Sequence, residues 1–261
     1  EPDPQADDDG DGVINQDDAF PNDPNEWLDT DHDGIGNNAD NDDDNDGILD
    51  AIDADPLDAG NTTITSTPLD SNGDGTADIF WRHDNGQNYL YLMQGAAIQQ
   101  ALPMPTVPTE WQLAGRGDFN GDGHADLLWR HSNGTNWIYL MQGSQVIHSA
   151  RLNQVDSSWS IQGIADVNGD GMADILWRNE TSGQLWLYQM QGMTIAQSRA
   201  IGNAVANEWQ IETLADINGD HRADIFWRNS SSGQTWVYQL NGNQIIASYG
   251  LNIVSADWQL A

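Results

Sequence analysis

Seven stretches of this chain set oxygen-bearing side chains at alternate positions around a glycine turn, a spacing that suits a hard divalent cation. Three lie in the first sixty residues. Asp7, Asp9, Asp11, Gly12, Asn15 and Asp18 occupy positions 1, 3, 5, 6, 9 and 12 of a loop. Asp29, Asp31, Asp33, Gly34, Asn37 and Asp40 repeat it, and so do Asp42, Asp44, Asp46, Gly47, Asp50 and Asp53. Ca²⁺ takes about six to eight oxygens at roughly 2.3–2.6 Å, and alternate residues of a tight loop point inward to supply them. Glycine permits the turn, and the next residue (Val13, Ile35 or Ile48) offers its carbonyl. Position 12 carries Asp where an EF-hand has Glu, and no flanking helices are evident, so EF-hands are not expected.

The other four stretches belong to one longer phrase, "DSNGDGTADIFWR" at 70 and its near-copies at 118, 166 and 216. Asp70, Asn72, Asp74 and Asp78 stand at positions 1, 3, 5 and 9, with the Thr76 carbonyl at 7. The second set is Asp118, Asn120, Asp122 and Asp126 with His124. The third is Asp166, Asn168, Asp170 and Asp174 with Met172. The fourth is Asp216, Asn218, Asp220 and Asp224 with Arg222. In the fourth, His221 replaces the turn glycine and Arg222 brings a positive charge beside the ligands, both unfavourable to an ion.

Composition agrees with a cationic partner. Acids outnumber bases 41 to 8, there is no lysine or cysteine, and the net charge is −33. Such a chain is unsuited to nucleic acid, whose binding rests on cationic contacts to phosphate, and to an anionic membrane surface. No apolar run approaches the ~18 residues of a membrane helix. The opening "EPDPQADDD" reads as a mature or excised start rather than a signal peptide. Without disulfides, bound calcium is the natural staple for an extracellular protein.

The elements that position these loops follow from the repeats. Residues 1–60 hold 22 of the 41 acids and no arginine, whereas 61–261 hold all eight arginines, so a boundary is expected near Gly60. The long phrases recur at intervals of 48, 48 and 50 residues, a period typical of propeller blades. Each unit reads as four strands. In the third these are "WSIQGIA", "ADILWR", "LWLYQMQG" and "MTIAQSRAI", with "NETSG" as a hairpin turn. Helical periodicity is nowhere sustained, and the third strand is apolar on both faces, as stacked blades demand. The expectation is an all-β protein, a small four-bladed propeller behind an irregular acidic arm. Trp111, Trp159 and Trp209 each lie seven residues before a loop, but Thr63 stands there before Asp70. The missing phrase is found at the C-terminus, as "DWQLA" at 257–261, and is expected to supply the first blade's first strand and close the ring. A swapped dimer or an open segment of a longer array is the alternative.

Residues 7–58, with the connector "DAFPNDPNEW" and its echo "DADPLDAG", resemble the thrombospondin type 3 repeats of many secreted bacterial proteins. The resemblance implies a stiff arm wrapped around a row of calcium ions. Residues 63–261, with their "D-x-N-G-D-G-x-A-D" core, resemble FG-GAP or VCBS repeats, the blades of integrin α heads and of many bacterial surface proteins. That implies calcium between the first two strands of each blade, up to seven ions in all, and an extracellular or cell-surface location, although the family's best-known propellers have seven blades.

The remaining features point away from chemistry. Trp81, Trp129, Trp177 and Trp227 recur in register, as do Trp137, Trp186 and Trp236, and are expected to pack between blades. Arg82, Arg130, Arg178 and Arg228 each follow a tryptophan and are expected to pair with carboxylates at blade ends. "GRGD" at 115–118 ends on a calcium-loop aspartate and reads as chance. No nucleophile or acid–base pair is distinguished from the metal ligands, so a non-catalytic protein is expected. Its propeller would present a face to a polysaccharide or cell surface. The alternatives are adhesion or self-assembly, with the arm docking on a neighbour, and a part accessory to a calcium-dependent polysaccharide-degrading enzyme.

Overall fold

The computed structural model describes residues 6–40, 42–45, 50, 53, 55–60, 69–255 and 257–258. The chain divides into two compact units, Glu1–Ser66 and Thr67–Ala261.

The first unit consists of turns and bends, with one isolated bridge at Asp53 among its described residues. Its interior is unusual in kind. No apolar side chain of this unit is buried among the described residues, whereas the carboxylates of Asp18, Glu26, Asp44 and Asp53 are. Short backbone bonds such as Asn37 N–H to Leu28 O (2.9 Å) and Ala19 N–H to Trp27 O (3.2 Å) hold successive turns together. Asp46, Gly47 and Ile48 of the third loop lie outside the described residues, as does the linker at 61–68.

The second unit is all-β, with no helix among the described residues. Its strands form four antiparallel sheets in sequence order. The first holds β1 (Ile79–Arg82), β2 (Asn88–Gln94) and β3 (Ala97–Met104). The second holds β4 (Trp111–Gly117), β5 (Asp126–His131), β6 (Thr135–Gln142) and β7 (Gln145–Gln154). The third holds β8 (Trp159–Ala165), β9 (Asp174–Asn179), β10 (Leu185–Gln191) and β11 (Thr194–Ile201). The fourth holds β12 (Trp209–Ala215), β13 (Asp224–Asn229), β14 (Gln234–Asn241) and β15 (Gln244–Ile253). Registers repeat as the sequence does. Trp129 faces Trp137, Trp177 faces Trp186 and Trp227 faces Trp236 across each second and third strand. The first strand carries a bulge at the same place in each four-stranded sheet, at Leu113/Gly115, Ile161/Gly163 and Ile211/Thr213.

Four meandering sheets of this kind are consistent with a small propeller. Buried apolar clusters join consecutive sheets. Val107 packs with Trp129 at the first junction, Leu152 with Trp177 at the second and Ile201 with Trp227 at the third. Close approach of the first strands depends on glycine. A Cβ on Gly115 would lie 2.4 Å from Ile164 Cδ1, and one on Gly163 would lie 2.4 Å from Leu214 Cδ1. The ring closure expected from "DWQLA" falls largely outside the described residues, which include only Asp257 and Trp258 of that phrase. Among the described residues no cluster joins the fourth sheet to the first, and Trp81 is 53 % exposed.

Candidate metal-binding loops

Each long-repeat loop leads directly into a strand, β1, β5, β9 or β13, and its geometry comes from backbone N–H groups converging on the first aspartate. Asp118 Oδ1 accepts from the N–H groups of Asn120 (3.1 Å) and Gly121 (2.7 Å), and its Oδ2 accepts from Gly123 N–H (2.7 Å). Asp122 Oδ1 accepts His124 N–H at 2.9 Å. The Asn120 amide donates to Asp122 Oδ2 at 2.9 Å, which leaves Asn120 Oδ1 buried without a hydrogen-bond partner. Asn72 Oδ1 is left in the same condition. Asp70, Asp166 and Asp216 organise their loops as Asp118 does. In the fourth loop His221 takes the left-handed conformation itself, at φ 62°, and its N–H reaches Asp216 Oδ2 at 2.9 Å. The missing glycine therefore strains the loop without abolishing it. The Arg222 side chain turns to the preceding loop, with Nε donating to Asn168 O at 3.0 Å, and keeps one nitrogen 3.9 Å from Asp220.

The residue at position 9 has a structural role that the spacing did not reveal. In all seven loops its side chain accepts the N–H of position 2, as in Asn15 to Asp8 (2.9 Å), Asn37 to Thr30 (3.0 Å), Asp50 to Asp43 (2.9 Å) and Asp126 to Phe119 (2.9 Å). In the long repeats the other oxygen accepts an N–H from the strand across the next hairpin: Met93 for Asp78, Met141 for Asp126, Met190 for Asp174 and Leu240 for Asp224. This aspartate thus staples loop to hairpin, and each oxygen keeps a further lone pair for an ion. The acid's place directly before an apolar strand was the available signal.

Electrostatics mark these loops as charge-strained. Burial pushes the carboxyls of Asp126 and Asp174 up to about 8 and that of Asp166 up to about 6, and it also raises Asp118. Asp224 is raised by burial as well. Asp216 is the exception. Burial pushes it up, but N–H bonds from Gly219, His221, Asp220 and Asn218 outweigh that and lower it.

In the first unit, ligand oxygens of Asp7, Asp9 and Asp11 all lie within 4.8 Å of one another, and so do those of Asp29, Asp31 and Asp33. Buried oxygens of Asp9, Asp11, Asp18, Asp29, Asp43 and Asp53 have no hydrogen-bond donor. Asp43 is pushed up to about 6, by burial first and then by Asp50 and Asp40. Glu26, to which the spacing assigned nothing, is buried and accepts Asn38 N–H at 3.0 Å. Ionised carboxylates facing one another without donors are costly unless a cation joins them. Oxygen-only donors without thiolate suit Ca²⁺ or Mg²⁺ rather than zinc.

The arginines do not pair with carboxylates as expected. Arg82 donates to the carbonyls of Val107 (3.1 Å), Pro108 (3.0 Å) and Trp111 (2.8 Å), and its guanidinium lies 4.9 Å from the centre of the Trp129 ring. Carbonyls left over where one blade leads into the next are the stronger attraction, because the acids are already engaged by backbone N–H groups. The "GRGD" stretch is not displayed. Arg116 reaches into the first loop, donating to Asp78 O (3.0 Å), Leu69 O (2.9 Å) and Ser71 Oγ (2.7 Å).

Repeated antiparallel sheets, each with an acidic turn loop directly before the strand that carries its Trp-Arg pair, define a class of blade-repeat proteins. Comparison with known families agrees, since residues 118–177 and 166–227 match the FG-GAP-like repeat. No curated protein matches the chain. Among solved structures, dihydro-heme d1 dehydrogenase NirN is similar at 15% identity and a TM-score of 0.41, over 67% of this chain and 34% of that one. The β-propeller domain of Myceliophteria thermophila Cps50 (Swd1) is similar at 12% identity and a TM-score of 0.37, over 65% of this chain and 56% of that one. This chain therefore spans about a third and rather over half of those chains. The expectation of a non-catalytic protein is corrected here, because an enzyme stands among the structural neighbours and the class of fold does not exclude catalysis. A likeness this distant assigns a catalytic role to no residue of the chain.

Proposed function

We propose that this protein is an extracellular binding module that takes up calcium in its acidic loops and presents its sheets to a polysaccharide or cell surface. The observation that carries the reading is the interior of the first unit, which buries carboxylates where a fold normally buries apolar side chains. Residues 1–60 contain no arginine or lysine to neutralise them, and a bound cation would supply that charge. On this reading the first unit is a calcium-wrapped arm of the thrombospondin type 3 kind. The loops of the second unit hold further ions between the first two strands of each blade. Asp, Asn and backbone carbonyl oxygens are the ligands in both. Seven divalent ions would bring the net charge from −33 to −19, easing the self-repulsion that opposes compaction.

Isothermal titration of the chelated protein with calcium tests the metal reading. Several sites should fill, and D118N together with D166N should remove the heat of two. A chelated protein that takes up no calcium at millimolar concentration, the extracellular range these sites would face, refutes it. A glycan array run in calcium tests the ligand class, and selective sugar retention is the expected result.

A further inference from the structure

Every peptide group is a rigid plane that carries a carbonyl and an N–H together, and at each junction between sheets one such group belongs to two acidic loops at once. The group joining Met172 to Ala173 shows the arrangement. Its carbonyl is the position-7 oxygen of the loop at 166–174. Its N–H, on Ala173, donates to the carbonyl of Asp118 at 2.5 Å. Asp118 is position 1 of the preceding loop, and its carbonyl shares a plane with the N–H of Phe119. That N–H donates to Asp126 Oδ2 at 2.9 Å, and Asp126 is position 9 of the same loop. Two peptide groups and two hydrogen bonds therefore run from a ligand oxygen of one loop to a ligand carboxylate of its neighbour.

The relay recurs at the other two junctions. Ala125 N–H donates to Asp70 O at 2.5 Å, and Ser71 N–H donates to Asp78 Oδ2 at 2.9 Å. Ala223 N–H donates to Asp166 O at 2.6 Å, and Val167 N–H donates to Asp174 Oδ2 at 3.3 Å. The receiving carboxylates of Asp78, Asp126 and Asp174 are all buried, so water does not compete for these bonds. At two junctions the position-7 side chain adds a second contact. Arg222 Nε donates to Asn168 O at 3.0 Å. A Cβ on Gly73 would lie 2.7 Å from His124 Cε1, so the imidazole rests on the turn of the preceding loop.

We infer that the loops of the second unit fill with calcium cooperatively, neighbour favouring neighbour through this peptide relay. The inference rests on the calcium reading above and adds the regulation of those sites. A cation on a carbonyl oxygen draws electrons out of the amide, and hydrogen bonds in series polarise one another. An ion at the Met172 carbonyl thus strengthens Ala173 N–H on Asp118 O, and in turn Phe119 N–H on Asp126. Positions 1 and 9 of the preceding loop are then held before its own ion arrives, and the ordering cost of binding falls. A filled neighbour also attracts a second ion less than an empty one, which opposes the effect. That attraction is screened by salt over about 8 Å, whereas the relay is buried. Coupling between sites is reciprocal, so each loop of a pair gains equally.

Amide NMR of the whole chain during a calcium titration follows the loops separately, through Gly123 N–H in one and Gly171 N–H in the next. D170N removes a ligand charge from the loop at 166–174 while keeping an acceptor for Met172 N–H, which lies 3.0 Å from Asp170 Oδ1. That loop should then fill only at much higher calcium. The loop at 118–126, whose own ligands are intact, should need at least about twofold more calcium, because a coupling of about five between equal sites moves each midpoint by its square root. A173P deletes the linking N–H and no ligand, and in its background D170N should leave the loop at 118–126 unmoved. If A173P loses its melting transition, the Ala173 amide proton of the wild type replaces it, and should shift downfield as the loop at 166–174 fills. Loops that fill while D170N leaves the loop at 118–126 at its wild-type midpoint overturn the coupling alone. A weakening that survives in the A173P background, or an Ala173 proton that does not move, overturns the relay. Loops that take up no calcium at millimolar concentration overturn the calcium reading, and the coupling falls with it.

Discussion

Raising the pH of the chelated protein should unfold it, and raising the pH of the calcium-loaded protein should not. The carboxyls of Asp126 and Asp174 are buried and lifted from 3.8 to about 8. A group whose folded value lies above its unfolded value holds a proton in the fold that the unfolded chain has released. Its contribution is complete below 3.8 and is lost as the pH rises through about 8. At ~1.36 kcal/mol per pH unit and group, moving from about pH 5 to about pH 8 removes somewhat under ~4 kcal/mol per aspartate, because each is already half deprotonated in the fold at about 8, or roughly 7 for the pair. That compares with a total stability of roughly 5–15 kcal/mol for an ordinary domain. For a unit of this size each kcal/mol is worth about 2–4 °C, so the melting temperature should fall by roughly 15–30 °C. Calcium selects the ionised carboxylates and reverses the slope, because deprotonation then prepares the site instead of straining it. Differential scanning calorimetry at several pH values, with chelator and with calcium, reads both slopes. A chelated protein whose melting temperature is flat or rising over that range, or identical slopes in the two conditions, refutes the reasoning.

Other perturbations separate local strain from packing. H221G should stabilise the second unit by about 1 kcal/mol, because glycine takes the left-handed turn without cost, and a denaturant midpoint in calcium measures it. W129A should cost about 3–5 kcal/mol in the same assay at low protein concentration, while W81A should cost under about 1, since the first indole is fully buried and the second half exposed. G163V should destabilise by about 1–3 kcal/mol or more, because the new side chain meets Leu214 where a Cβ alone would already sit 2.4 Å from its Cδ1. The midpoint of thermal unfolding in calcium reports that loss.

Much of the local design was legible in the residues. The third repeat's four strands fall where their apolar runs were read, at Trp159–Ala165, Asp174–Asn179, Leu185–Gln191 and Thr194–Ile201. Alternation and turn glycines act within a few residues of chain, so each strand and loop is determined largely by its own neighbours. The loops were legible for the same reason, since Asp118 gathers N–H groups no more than five residues away. What escaped was every hydrogen-bond partner lying a whole blade away. Arg82 binds carbonyls 25 to 29 residues downstream and an indole of the next sheet, which no spacing within one repeat announces. Arg116, in a stretch dismissed as chance, donates to Leu69 O, 47 residues upstream.

Spacing alone settled that this chain would bend its backbone around side-chain oxygens and, in the long repeats, run from each loop into a strand, because those choices depend on side chains only a few bonds apart. Packing decided the rest. Trp81 and Trp129 occupy the same place in the same phrase, yet one is open and the other sealed, because among the described residues only the second has an arginine of a preceding sheet laid across it. Identical residues differ in role when their neighbours come from another repeat, and which neighbours exist is a property of the assembled sheets.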